Sequence, residues 1–144
     1  MNPDSLVDDL NPSQQAAVDH RGGPLLIIAG AGSGKTRVLT RRIAHLLATD
    51  DASPGQIMAI TFTNKAAEEM LRRTMQLLSI PEHDSFNGNG FFGSAALGLE
   101  EDRPVLRTFH SFCARLLRRH AHRLEPYTSQ FSIYDSVDQK QLVT

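Results

Sequence analysis

The residues that could do chemistry are concentrated where an apolar run, Leu25-Leu26-Ile27-Ile28-Ala29, gives way to Gly30-Ala31-Gly32-Ser33-Gly34-Lys35-Thr36. Glycines at alternate positions let the backbone curl so that successive N–H groups point into one concavity, which suits an anion. A lysine ending such a turn can reach the β- and γ-phosphates of a nucleotide, and a hydroxyl beside it can serve as a ligand to Mg²⁺. A helix that starts there turns its positive N-terminal end toward the same charge. Lys35 and Thr36 hold those two positions, so the expected chemistry is the binding of a nucleoside triphosphate with Mg²⁺. Ala29 stands where the strict pattern places a glycine, and an ordinary strand–turn–helix corner is the alternative reading.

The elements needed to position this loop are legible on both sides of it. Asn11-Pro12-Ser13-Gln14 combines an N-cap, a proline at the first helical position and a glutamine three residues after the cap, which predicts a short helix to about His20. Gly22-Gly23-Pro24 turns the chain into a first strand over Leu25–Ala29. Apolar residues at 39, 43, 46 and 47 give Thr36–Leu47 one helical face, and Gln56–Phe62 reads as a second buried strand. A helix over Asn64–Leu78 follows, with Ala67, Met70, Leu71, Leu77 and Leu78 toward the core. A third strand is expected over Val105–Phe109, a helix over Ser111–Leu124, and a fourth strand over Phe131–Tyr134. Strand alternating with helix predicts an α/β fold, a parallel sheet flanked by helices.

Two segments depart from this rhythm. Ser79–Pro104 contains Asn87-Gly88-Asn89-Gly90 and no sustained periodicity, and is expected to form a long surface loop. Its phenylalanines 86, 91 and 92 are expected to tuck against the body. Ser136-Val137-Asp138-Gln139 is a capping-box pattern that starts a helix, and the sequence stops at Thr144, about two turns into it. The chain is therefore expected to be the first part of a longer domain.

Composition bounds the class. The formal charge is −1, so any nucleic-acid surface must come from local clustering of basic residues. One such cluster is Arg115, Arg118, Arg119 and Arg123, which reads either as a solvated helix face or as a phosphate-tracking surface. A single cysteine, Cys113, excludes an internal disulfide framework. The six histidines show no metal-ligand spacing. With no apolar run near 18 residues and no apolar leader after the acidic start, a cytoplasmic protein without membrane association is expected.

The motifs together resemble a known family, the superfamily 1 DNA helicases of the UvrD/PcrA/Rep type. Leu10-Asn11-Pro12-Ser13-Gln14-Gln15-Ala16-Ala17-Val18 is similar to its Q motif, and Ala29 to Leu39 to motif I. Ala59-Ile60-Thr61-Phe62-Thr63-Asn64-Lys65-Ala66-Ala67-Glu68-Glu69-Met70 resembles motif Ia, and Thr108-Phe109-His110-Ser111 resembles motif Ib. The Ser79–Pro104 segment is longer than the family's usual connection.

The resemblance implies the N-terminal part of a RecA-like ATP-binding domain. Its parent would couple ATP hydrolysis to translocation on single-stranded DNA and unwinding of duplex junctions in repair or replication. Lys35 and Thr36 would be catalytic, with Thr36 on Mg²⁺, and Arg37 would contact the nucleotide. Gln14 has the donors and acceptor to pair with adenine, which would select ATP, although its spacing alone fits a helix capping box equally. Phe62, Thr63, Asn64 and Lys65 fall where a strand ends and a helix begins, the edge at which ligands bind parallel sheets. The resemblance makes them single-strand contacts, with Phe109 and His110 added from motif Ib. Without it Phe62 reads as core, Asn64 as a cap and His110 as a buried histidine. The family's acidic motif II is expected beyond Thr144, and Asp135 is a poor substitute because Ser136 follows it. Three alternatives remain: the helicase subunit of a RecB/AddA-type nuclease complex, a P-loop kinase or other small-molecule NTPase, and a purely nucleotide-binding module.

Overall fold

Asn11 begins the first helix by a reciprocal cap. Its Oδ1 accepts from the Gln14 amide at 2.9 Å, while Gln14 Oε1 accepts from the Asn11 amide at 3.2 Å. With Pro12 pre-set at the first position, this starts α1, Pro12–Asp19. The computed structural model describes residues 3–80 and 104–134, with Asp138 and Gln141. These form two compact units, Met1–Thr108 and Phe109–Thr144.

In the first unit a 3-10 turn, Pro3–Leu6, precedes α1, and α2 covers Lys35–Ala48. A second 3-10 turn, Pro54–Gln56, leads into β1, Met58–Thr61, followed by α3, Asn64–Leu77, and β2, Val105–Thr108. The two strands run parallel in register, Met58 beside Val105 and Thr61 beside Thr108. Helix α3 ends with Ser79 in the left-handed region, and the Ile80 amide reaches back to the Met75 carbonyl at 3.0 Å. That is the wrap by which a helix satisfies its last carbonyls.

Two apolar clusters hold these elements. Leu10, Ala17, Val18 and Val38, with Val7 against them, join the N-terminal segment and α1 to α2. Ile43, Ile57, Ala59 and Met70, with Leu46, Leu47 and Leu106, join α2 and α3 to the sheet. Polar bonds complement the packing. Arg42 Nη1 donates to the carbonyls of Ala17, Val18 and His20 at 2.8–3.2 Å, which closes the C-terminal end of α1 from the side of α2. Burial and the neighbouring Arg21 lower the Arg42 pKa. Arg21 also donates to Asp51 Oδ2 at 2.8 Å and to His45 Nδ1 at 2.9 Å. The Thr49 hydroxyl and the Arg21 guanidinium hold the Asp51 carboxyl below the usual carboxylate range.

The second unit carries α4, Phe109–Arg119, and a 3-10 turn, Ala121–Arg123. The expected helix to Leu124 thus ends at Arg119, and Phe109 opens it instead of closing the strand.

Two expected strands are absent. Leu25–Ala29 is irregular, with Leu26 82% and Ile28 89% exposed, and Phe131–Tyr134 is irregular as well. An apolar run becomes a strand only where neighbouring backbone completes its ladder, and the sheet among the described residues consists of β1 and β2 alone. Leu71, Leu77 and Leu78 of α3 are half-buried, whereas Thr74 and Met75 join Ala67 and Met70 in the interior. Most of the Ser79–Pro104 loop, with its phenylalanines 86, 91 and 92, lies outside the described residues, as does Asp135. The helix expected from Ser136 is described only at Asp138 and Gln141, both helical.

Candidate nucleotide site

The glycine-rich turn is built on two left-handed residues, Gly32 at φ 75° and Gly34 at φ 88°. Gly34 is also the N-cap of α2 and offers no side-chain acceptor, so the first amides of a 14-residue helix lack a side-chain cap. Partial positive charge therefore gathers at the turn, where Lys35 and Thr36 begin the helix. Within the turn Ser33 Oγ donates to the Gly30 carbonyl at 2.7 Å. Lys35 Nζ crosses the loop to the carbonyls of Ala29 and Gly30 at 2.7 and 2.6 Å. Ala31 is exposed at the tip.

Gln14 braces this turn from α1. Besides capping its own helix, it donates through Nε2 to the Ser33 carbonyl at 3.2 Å. A Cβ on Gly34 would stand 3.1 Å from the same Nε2. The capping role read from spacing is therefore made, and the amide also touches the loop.

Gly32, Gly34, Lys35, Thr36 and Arg37 share the wall of a cavity of about 350 Å³ with Glu69 and Arg73 of α3. Three cations against one carboxylate give the cavity a positive lining. Glu69 and Arg73 pair with each other at 2.5 Å. Sequence reasoning missed both, because a Glu and an Arg four residues apart read as an ordinary surface pair. The signal that finds them is the packing of α3 against α2. Arg37 is anchored on the other side, where its Nη2 donates to the carboxylate and, at 3.0 Å, the carbonyl of Asp9.

The motif Ia residues stand at the end of β1. Phe62 is 92% exposed, so the core reading fails for it. Thr63, not Asn64, caps α3, its Oγ1 accepting from the Ala66 amide at 3.1 Å. Asn64 and Lys65 are exposed on the first turn. In the second unit Phe109 and His110 are both exposed, their rings edge-on with centroids 6.4 Å apart. Arg118 lies over the Phe131 ring at 5.3 Å, and Arg115, Arg119 and Arg123 are exposed. Among the described residues no group of three or more His, Cys, Asp or Glu side chains could hold a metal, and no helix is long and apolar enough to cross a membrane.

The chain is 49% identical over 141 residues to the ATP-dependent DNA helicase UvrD1 of Mycobacterium bovis, a match that covers 97% of the chain and 16% of that protein. It is 47% identical over 140 residues to UvrD1 of Mycobacterium leprae, and 46% over 139 residues to the ATP-dependent DNA helicase PcrA of Staphylococcus epidermidis. These matches cover 97% and 96% of the chain, and it spans 16% of the length of each of these relatives. The model of the UvrD/REP helicase N-terminal domain matches residues 10–144, and the chain belongs to that family.

Proposed function

We propose that this chain binds MgATP in the cavity at the N-terminus of α2, as the first part of the RecA-like ATP-binding domain of a DNA helicase. The parent would couple hydrolysis to movement along single-stranded DNA and to opening of duplex junctions, in repair or replication. The observation that carries this reading is the left-handed turn at Gly32 and Gly34, which sets Lys35, Thr36 and Arg37 around one positive cavity. The names of the helicase relatives support it.

In this reading the loop amides of residues 30–36 cradle the phosphates. Lys35 exchanges the carbonyls of Ala29 and Gly30 for phosphate oxygens, a trade that favours the ligand because a charge-assisted bond to an anion is stronger than one to a neutral carbonyl. Mg²⁺, which arrives with the triphosphate, would offset charge on the phosphates. The Thr36 hydroxyl on the cavity wall fits a single protein ligand, in keeping with an ion that retains most of its waters. Arg37 and Arg73 add positive charge where charge develops during phosphoryl transfer. Gln14 selects adenine, using the amide that otherwise braces Ser33. Phe62 stacks a base, Thr63, Asn64 and Lys65 hold phosphates, and Phe109 and His110 contribute nucleic-acid contacts from the second unit.

Calorimetric titration of the full chain with MgATP tests the nucleotide assignment. Lys35→Ala should raise Kd at least tenfold while leaving the melting temperature near that of the parent, since the lost contact is worth about 1.5–3 kcal/mol. Equal affinity in parent and variant overturns it.

A further inference from the structure

The N-terminal segment contributes one carboxylate, Asp9, to an arginine that lines the candidate nucleotide cavity, Arg37. Its oxygens take up two arginines of α2. Arg37 Nη2 bonds both Oδ2 and the Asp9 carbonyl, and Arg41 reaches Oδ1 at 2.8 Å and Oδ2 at 3.0 Å. Arg37 lines the cavity, whereas Arg41 does not. We infer that Asp9 is a positioning residue: it holds the Arg37 guanidinium at the cavity wall for the nucleotide. The inference rests on the nucleotide reading above.

Arg37 stands four residues from Arg41 on the same helix face and at the positive end of α2, so both the neighbouring guanidinium and the helix end repel it. The Asp9 carboxylate cancels the Arg37–Arg41 repulsion. It anchors Arg37 by a single nitrogen, Nη2, while the same residue lines the cavity. Exposed ion pairs are usually weak because both partners must be ordered. Here the ordering is done in advance. Leu6 and Leu10, buried on either side of Asp9, fix the turn, and Gln15 Nε2 donates to the Val7 carbonyl at 3.0 Å within it.

The test is a double-mutant cycle read by MgATP titration of the full chain. Asp9→Asn should raise Kd about 5-fold, equal to about 1 kcal/mol at 1.4 kcal/mol per tenfold. In an Arg37→Ala background the same change should cost under about 2-fold, while in an Arg41→Ala background the loss should persist. Asp9→Glu, which keeps the charge, should recover most of the affinity. A structural role alone would weaken binding equally in every background, and that result overturns the inference. So does unchanged or tighter binding by Asp9→Asn while Lys35→Ala still loses affinity. If the parent itself does not bind MgATP, both the inference and the nucleotide reading fall.

Discussion

Substitution of Gly34 by alanine probes the turn that organises the cavity, and two independent costs can be worked out for it. At φ 88° and ψ 20° the backbone is in the left-handed region, where an L-residue with a Cβ costs about 1–2 kcal/mol. The added methyl would also stand 3.1 Å from Gln14 Nε2, closer than ordinary contact. That amide is not free to swing away without loss, because its oxygen caps α1 and its nitrogen holds Ser33. Displacing it gives up a hydrogen bond worth about 0.5–1.5 kcal/mol. Gly34→Ala should therefore lower stability in urea by about 2–3 kcal/mol, with the slope of the transition unchanged. Gly34→Asn, whose side chain tolerates the left-handed region better, should lose less of the backbone component. Adding Gln14→Ala to Gly34→Ala relieves the crowding but not the torsion, so the double variant should cost less than the two single losses combined. Stability of Gly34→Ala within about 0.5 kcal/mol of the parent would refute the reasoning, since that is the range of an inconsequential surface change. Full recovery in the double variant would show that the torsion carries no cost.

Three other outcomes are expected. Phe62→Ala should weaken binding of oligo-dT by about 1–3 kcal/mol without lowering the melting temperature, because the ring is exposed, whereas Lys65→Ala should chiefly flatten the salt dependence, both read by fluorescence anisotropy. Met70→Ala, which empties a fully buried position between α3 and the sheet, should cost about 2–5 kcal/mol in thermal or chemical denaturation. Because the folded state lowers the Asp51 pKa, its contribution to stability is present above the unfolded carboxyl value near pH 4 and fades as pH falls through the folded one. The stability gap between parent and Asp51→Asn should accordingly close on acidification, as followed by urea midpoints from neutral pH downward.

Where local rules decide, the sequence was legible. The cap at Asn11, the apolar spacing of α2 and α3 and the glycine turn act over a few residues, and each element lies within one or two residues of its expected bounds, whereas the cap of α3 is Thr63 and not the expected Asn64. Leu25–Ala29 is irregular although its composition satisfies a strand, because strand formation depends on a neighbour, which composition does not encode. The cavity was half legible. Lys35, Thr36 and Arg37 follow from the motif, whereas Glu69 and Arg73 reach it only because α3 packs beside α2, and Asp9 reaches Arg37 across 28 positions of chain. Such meetings are set by tertiary packing, and no periodicity announces them.

The irregular run at Leu25–Ile28 has a colloidal consequence. Four consecutive apolar side chains, all exposed and bearing backbone with strand preference, make a short sticky window of the kind that recruits a second chain by edge-to-edge pairing. Pro24 shields one end of it, but a formal charge of −1 supplies almost no long-range repulsion between molecules. In concentrated solution, turbidity of the isolated chain should therefore rise steeply with protein concentration near neutral pH, and a single lysine at Leu26, the second residue of the window, should suppress it more than the same charge placed elsewhere on the surface.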